Sequence, residues 1–174
     1  MKCRFIIPKP INLVNFSEFG QVVLGARGKA NYKGEDWKSL FPIAKLNLEE
    51  AELGWVKSKK SKGNLLIAGM EREPEVEIII PTDAPLVHVV ALSGNLDNHL
   101  EQPNADKAKA FIVYPGQILI MHPGTWHYTS FPYKNKEAYY YFITKDHPRE
   151  KGWEDVVWVP FYRSEVIEVV LSKT

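Results

Sequence analysis

The chain has 174 residues, of which 45% are hydrophobic, 12% aromatic and 25% charged. That length suits one globular domain burying about 70% of its unfolded surface, and the composition argues against disorder. A net charge of +1 excludes the electrostatic footprint of a nucleic-acid binder.

The lone Cys3 excludes an intramolecular disulfide and a cysteine-based zinc cluster. No apolar run reaches the roughly 18–20 residues of a membrane span, and residues 1–8 are too short for a signal peptide. The expectation is a cytoplasmic protein with no membrane or nucleic-acid partner. Twelve prolines and eleven glycines suit a β-rich chain with many turns.

In chain order, residues 4–8 form an apolar run closed by Pro8, and 21–24 form another between Gly20 and Gly25. Both read as strands. Between them, 15–20 reads as one helical turn, capped by Asn15 or Ser17 and ended by Gly20. Residues 33–40 are polar with Trp37 and Leu40 spaced i, i+3, a pattern for a short surface helix or a loop. From residue 52 the pattern changes. Apolar runs recur at 53–57, 65–70, 76–80, 86–92, 108–114, 117–121, 126–131, 138–144, 156–160 and 166–171. Short strands separated by turn residues at this spacing mark an all-β sandwich or barrel. Pro115-Gly116 predicts a type II turn, with proline presetting the first central residue and glycine supplying positive φ at the second. The basic run 57–62 reads as a solvated turn. No Gly-rich phosphate loop and no alternating βαβ pattern is present, which disfavours a nucleotide-binding α/β fold.

Polar residues on barrel strands call for a reason, because unpaired burial is costly. Three segments raise the question. His122 and His127 flank the turn around Gly124, so both imidazoles are expected to face one cavity. The structural alternative is that each merely packs. In the segment 69–77, four glutamates read either as a solvated turn or as a functional pair. Glu71 and Glu73 share parity and therefore a face if the strand continues that far. His88 interrupts an apolar run, and reads as a satisfied barrel-wall residue. His99 and His147 read as surface residues.

The spacing of Gly116, Gly124 and His127 resembles the second motif of the cupin superfamily, with His122 in place of the motif's proline. More widely, the chain resembles the ureidoglycolate lyase family over roughly residues 13–146. The carriers are Met70-Glu71-Arg72-Glu73-Pro74, Lys109-Ala110-Phe111 followed by Gly116, and 121–128 with its His-x4-His. Weaker matches are 16–23 and 142–146. Glu73 stands where the family has His, Tyr128 where it has a second His, and Met121 where it has Tyr. The resemblance implies a cupin-like double-stranded β-helix (a jelly-roll barrel) with a few short helices, and a homodimer. In this reading 1–174 is one domain, 1–50 flanks the barrel and 51–172 is its core. The implied activity is cleavage of ureidoglycolate to glyoxylate and urea.

Such a cleavage needs a base for the carbinol proton and an acid for the departing nitrogen, and histidine suits either role. The expected acid–base pair is His122 and His127, with Glu73 as a further base or orienting carboxylate. Arg72 or Lys57 is expected to hold an anionic substrate, with Glu71, Trp126 and Tyr128 also lining its site. No cofactor or metal is expected in this reading. The competing readings are a metal-dependent cupin enzyme using His122, His127 and glutamates as ligands, and a non-catalytic cupin binding a small polar ligand.

Overall fold

Strands account for nearly every apolar run. The computed structural model describes residues 2–25, 31–33, 35, 36, 38–40, 42, 44, 46, 48, 50–60, 63–98, 100–145 and 158–171. The strands are β1 Cys3–Ile6, β2 Lys9–Pro10, β3 Gly20–Val23, β4 Tyr32–Lys33, β5 Lys38–Ser39, β6 Ala51–Lys59, β7 Leu65–Ile67 and β8 Gly69–Met70. They continue with β9 Glu77–Pro81, β10 Leu86–Ala91, β11 Lys109–Val113, β12 Ile118–Met121, β13 Trp126–Pro132, β14 Glu137–Lys145, β15 Val159–Pro160 and β16 Val166–Val169. The helical elements among the described residues are single 3₁₀ turns at Ile11–Leu13, Ala105–Lys107 and Tyr162–Ser164.

Three sheets form the body: β3-β12-β9-β14-β6, β13-β10-β11-β2 and β1-β16-β7. The strands β1, β2 and β3 each lie at the edge of one sheet, so the N-terminal segment flanks all three. The four-stranded sheet is covered on both faces. Leu86 and Val90 of β10 pack with Ile79, Leu119, Met121, Ala138 and Tyr140 of the five-stranded sheet. Val87, Val89 and Ala91 pack with Ile6, Ile67, Ile167 and Val169 of the three-stranded sheet. Double coverage explains why β10 is buried at every position and reads as an unbroken apolar run apart from His88. Each such Val or Leu stabilises the fold by about 1.5–3 kcal/mol. The all-β arrangement is the one the sequence implied.

Two local signals hold in detail. The Ser17 N–H donates to Asn15 Oδ1 at 2.9 Å, and the Gly20 N–H to the Phe16 carbonyl at 3.2 Å, closing one capped turn. Gly116 has φ of 85°, and the Gln117 N–H donates to the Tyr114 carbonyl at 3.0 Å, as a type II turn requires. Gly20 is also required by proximity, because a Cβ there would run into the Ile120 carbonyl.

Other expectations change. Within 33–40, β4 and β5 pair as a small hairpin rather than forming a helix; Trp37 lies outside the described residues. The run 57–62 begins on a strand, since β6 continues to Lys59, paired with Glu137. The run 65–70 divides at Ala68 into β7 and β8, which join different sheets. Of 156–160, Val159 and Pro160 form β15, whereas 156 and 157 lie outside the described residues. No described helix is long and apolar enough to cross a membrane.

Candidate active site

A cavity of about 210 Å³ opens between the five-stranded and four-stranded sheets. Strand parity supplies its walls. Glu77 and Ile79 of β9, Tyr140, Phe142 and Thr144 of β14, and Val56 of β6 face it from one side. From the other side come His88 of β10 and residues 127–130 of β13. A register shift between Val87 and Val89 against β13 gives His88 two opposed residues, Thr129 and Ser130. This bulge turns both His127 and Ser130 inward, although their spacing would otherwise separate them.

The segment before β9 carries two more carboxylates. Glu71 and His127 form an antiparallel bridge through both backbone bonds, at 3.0 and 2.8 Å. The Gly124 N–H donates to the Glu73 carbonyl at 2.7 Å. Extended backbone then places the Glu71 and Glu73 side chains on one face, and both line the cavity.

His127 is the centre of this group and is 4% exposed. Its Nδ1–H donates to the Thr125 carbonyl at 3.0 Å, which turns Nε2 toward the carboxylates. Nε2 lies 3.0 Å from Oε2 of Glu77 and 3.6 Å from Oε1 of Glu71. Burial alone lowers the imidazole's proton affinity, but Glu77, Glu71 and the Thr125 carbonyl outweigh it and push His127 up to about 9. Burial raises Glu71 to about 7; His127 opposes this, and Glu77 and Glu73 add to it. Burial, then the Glu77 and Glu71 charges, hold the Tyr140 phenol well above its ordinary range. At neutral pH the cavity therefore contains an imidazolium, a carboxyl poised between its two forms, and a phenol that keeps its proton.

The structure gathers Glu71, Glu73, His127 and Tyr128 around the cavity and places the other expected residues elsewhere. His122 is exposed. It follows Met121, which is buried and inward, so alternation turns it outward. The turn also does not close a hairpin: β12 belongs to the five-stranded sheet and β13 to the four-stranded one. His122 and His127 therefore do not converge, and the expected pair is corrected. Lys57 points to the outer face of β6, where its Nζ lies 3.0 Å from Glu137, while its neighbour Val56 faces the cavity. Trp126 is buried in the opposite core with Ile67 and Phe161. Tyr128 is half-buried, its ring 5.2 Å from that of Trp158. His99 and His147 lie outside the described residues.

Arg72 is used up by a loop. Its guanidinium donates to Glu101 at 2.6 Å, Ser93 at 2.8 Å and the Asn98 carbonyl at 2.7 Å. It also stacks on Trp126, 4.6 Å from the ring centroid. Arg72 thus holds the segment 93–101 rather than an anion in the cavity. Arg72→Ala is expected to make the loop at 93–98 cleavable by limited proteolysis while leaving small-molecule affinity at the cavity within about threefold, as suits a loop anchor. A more than tenfold loss of affinity for an anionic ligand with an intact loop would restore the anion-binding role.

Sequence reasoning passed over Glu77, Ser130 and Tyr140, and read His88 as wall. Glu77 carried a usable signal, a lone carboxylate opening the apolar strand Ile78-Ile79-Ile80 with the parity of Ile79. Among the described residues, no three His, Cys, Asp or Glu side chains are placed to hold a metal ion. The ligand set His122, His127 and glutamate does not assemble, because His122 is elsewhere.

The fold is an all-β sandwich with glutamates and a histidine gathered on one cavity. The comparisons narrow it. The model of the ureidoglycolate lyase family matches residues 3–163, and the chain belongs to that family. A comparison with curated proteins finds no match. Among solved structures, RmlC from Streptococcus suis, described in complex with dTDP-D-xylose, is similar with a TM-score of 0.39 and 15% identity. The similarity covers 56% of this chain and 45% of RmlC, so this chain spans less than half of that protein.

Proposed function

We propose that the protein is a cytoplasmic lyase that cleaves the carbinol C–N bond of ureidoglycolate, releasing urea and glyoxylate. The observation that supports this best is His127 Nε2 held between Glu77 at 3.0 Å and Glu71 at 3.6 Å on the cavity wall.

In this reading Glu71, as carboxylate, takes the carbinol O–H proton while the electron pair forms the C=O of glyoxylate. The C–N bond breaks, and its electrons go to the urea nitrogen. His127, as imidazolium, delivers its Nε2 proton to that nitrogen. Glu71 then returns a proton to His127 across the short gap between them, and the site is reset with no net change. Glu77 keeps His127 charged before the step. Glu73 stands where the family has histidine, and supplies an acceptor for N–H or O–H groups of the substrate.

The test is release of urea and glyoxylate from racemic ureidoglycolate. Turnover needs Glu71 ionised and His127 protonated. The pH profile is therefore expected to rise through about 7 and fall through about 9. Absence of urea release, or full activity in His127→Ala, sinks the proposal. Saturable binding of ureidoglycolate without turnover points instead to the non-catalytic reading.

The same reading carries a single domain over 1–174 and a homodimer. Leu53, Trp55 and Tyr141 stand exposed on the outer face of neighbouring strands β6 and β14, a surface suited to a second copy. Light scattering is expected to give twice the monomer mass, and Trp55→Glu to shift it to the monomer. A wild type that is already monomeric removes the dimer.

A further inference from the structure

The catalytic scheme leaves His88 unused, although it is fully buried and lines the same cavity. Its two ring nitrogens have unlike partners. Nε2 lies 3.1 Å from the Met121 sulfur, and Nδ1 lies 2.8 Å from Oγ of Ser130. A thioether has no proton to give and only accepts, so Nε2 carries the N–H. In a neutral imidazole the other nitrogen is then bare and only accepts. The Ser130 O–H therefore donates to His88. Burial, and less so the charge on His127, pull His88 down to about 3, which keeps the ring neutral. The single hydroxyl proton of Ser130 is committed to His88, and its remaining lone pairs are left for the cavity that it lines.

We propose that Ser130, oriented by His88 and Met121, accepts an N–H of the substrate's ureido group and so decides which end of the substrate lies beside His88. The proposal rests on the lyase reading. A ureido group offers several N–H donors around one carbonyl, whereas the carboxylate at the other end offers only acceptors. Against Ser130 the carboxylate meets lone pairs, and the ureido group meets an acceptor. The His88 and His127 rings stack 6.0 Å apart at 24°, so a planar group held on Ser130 extends toward the proton on His127. Tyr140, whose phenol retains its proton and is hydrogen-bonded to the Ser130 backbone, stands beside the same end. The departing nitrogen then faces His127 and the carbinol faces Glu71. His88 and Met121 are positioning residues in this scheme: they touch Ser130, or each other, and set the direction of one proton.

Nitrogen-15 NMR of the wild type tests the first step without turnover. The expected His88 tautomer has Nε2 protonated and Nδ1 bare, and a proton on Nδ1 overturns the proposal. Met121→Leu keeps the bulk but removes the acceptor, and is expected to give a mixture of tautomers. Urea, as the isolated ureido fragment, is then titrated. A shift of the His88 Nδ1 resonance in the wild type that is lost in Ser130→Ala supports the contact, and no shift in the wild type overturns it. Kinetically, Ser130→Ala is expected to raise KM for ureidoglycolate about three- to tenfold, the worth of one neutral hydrogen bond, with kcat within about twofold. A lower melting temperature with KM unchanged marks a merely structural serine and refutes the contact. Ser130→Cys, which keeps volume and accepts poorly, gives the same readout if the alanine variant does not fold. If the wild type releases no urea, the lyase reading falls, while the tautomer and the urea titration still decide the role of Ser130.

Discussion

For the proposed lyase, His127→Gln is expected to lower kcat for urea release by about 10³-fold, within the 10²–10⁴ that a positioned acid or base contributes. The glutamine is close in size and keeps a donor, but it has no proton to transfer. Glu71→Gln is expected to cost a similar factor, for the complementary reason that an amide does not take up the carbinol proton. Because both groups serve one proton circuit, the double variant should fall little below either single one. Glu71→Gln should also remove the ascending limb of the pH profile near 7 from its residual activity. A circular dichroism spectrum matching the wild type accompanies each measurement, since removing His127 leaves Glu71 and Glu77 partly buried without their cation. Additive losses in the double variant would show that the two residues act in separate steps.

The stability of the protein should fall by ~3 kcal/mol between about pH 6.5 and 9. His127 has a folded-state pKa near 9, above its unfolded value of 6.5. Its contribution is complete below about 6.5 and is lost as pH rises through about 9, at about 1.4 kcal/mol per unit. Above pH 7 Glu71 and His88 are silent, because both are then past their folded and unfolded pKa values. Below 6.5 they oppose each other. Glu71, raised to about 7, returns stability as pH falls toward its ordinary 4.5. His88, lowered to about 3, removes stability as pH falls from 6.5. The two nearly offset down to about 4.5; below that His88 continues to destabilise the fold, together with Glu101 and Asp106, whose hydrogen bonds hold their carboxyls below the ordinary range. Urea denaturation midpoints at a series of pH values read these windows. His127→Gln should flatten the alkaline one, and an unchanged alkaline slope in that variant would assign the loss elsewhere.

The strands from residue 52 onward were legible because a short apolar run between turn residues is a local signal, readable without knowing its partner. The same holds for the Asn15 turn, the Pro115-Gly116 turn and the parity of Glu71 with Glu73. His127 was legible through its spacing from Gly116 and Gly124, which carried the family resemblance. Runs without strong apolar content were read less well. In the polar segment, β4 and β5 form through their pairing with each other, and the basic run from Lys57 starts on β6 because β14 lies beside it.

By itself, the sequence determined an all-β chain resembling the ureidoglycolate lyase family, with Glu71 and Glu73 of one parity and His127 at the motif spacing, but it paired His127 with His122. Only the tertiary structure decided what joins them. Parity says which residues share a face, but not which face closes a cavity or which sheet the next strand enters. His122 was lost from the site because the chain crosses between sheets after Met121. Arg72 and Lys57 were drawn to Glu101 and Glu137 outside the cavity. Glu77 entered from β9, far from β13 and β14 in sequence, Tyr140 from β14, and Ser130 from β13, with one bulge opposite His88 turning Ser130 inward. Convergence of that kind depends on long-range strand pairing, and no local pattern in a single sequence records it.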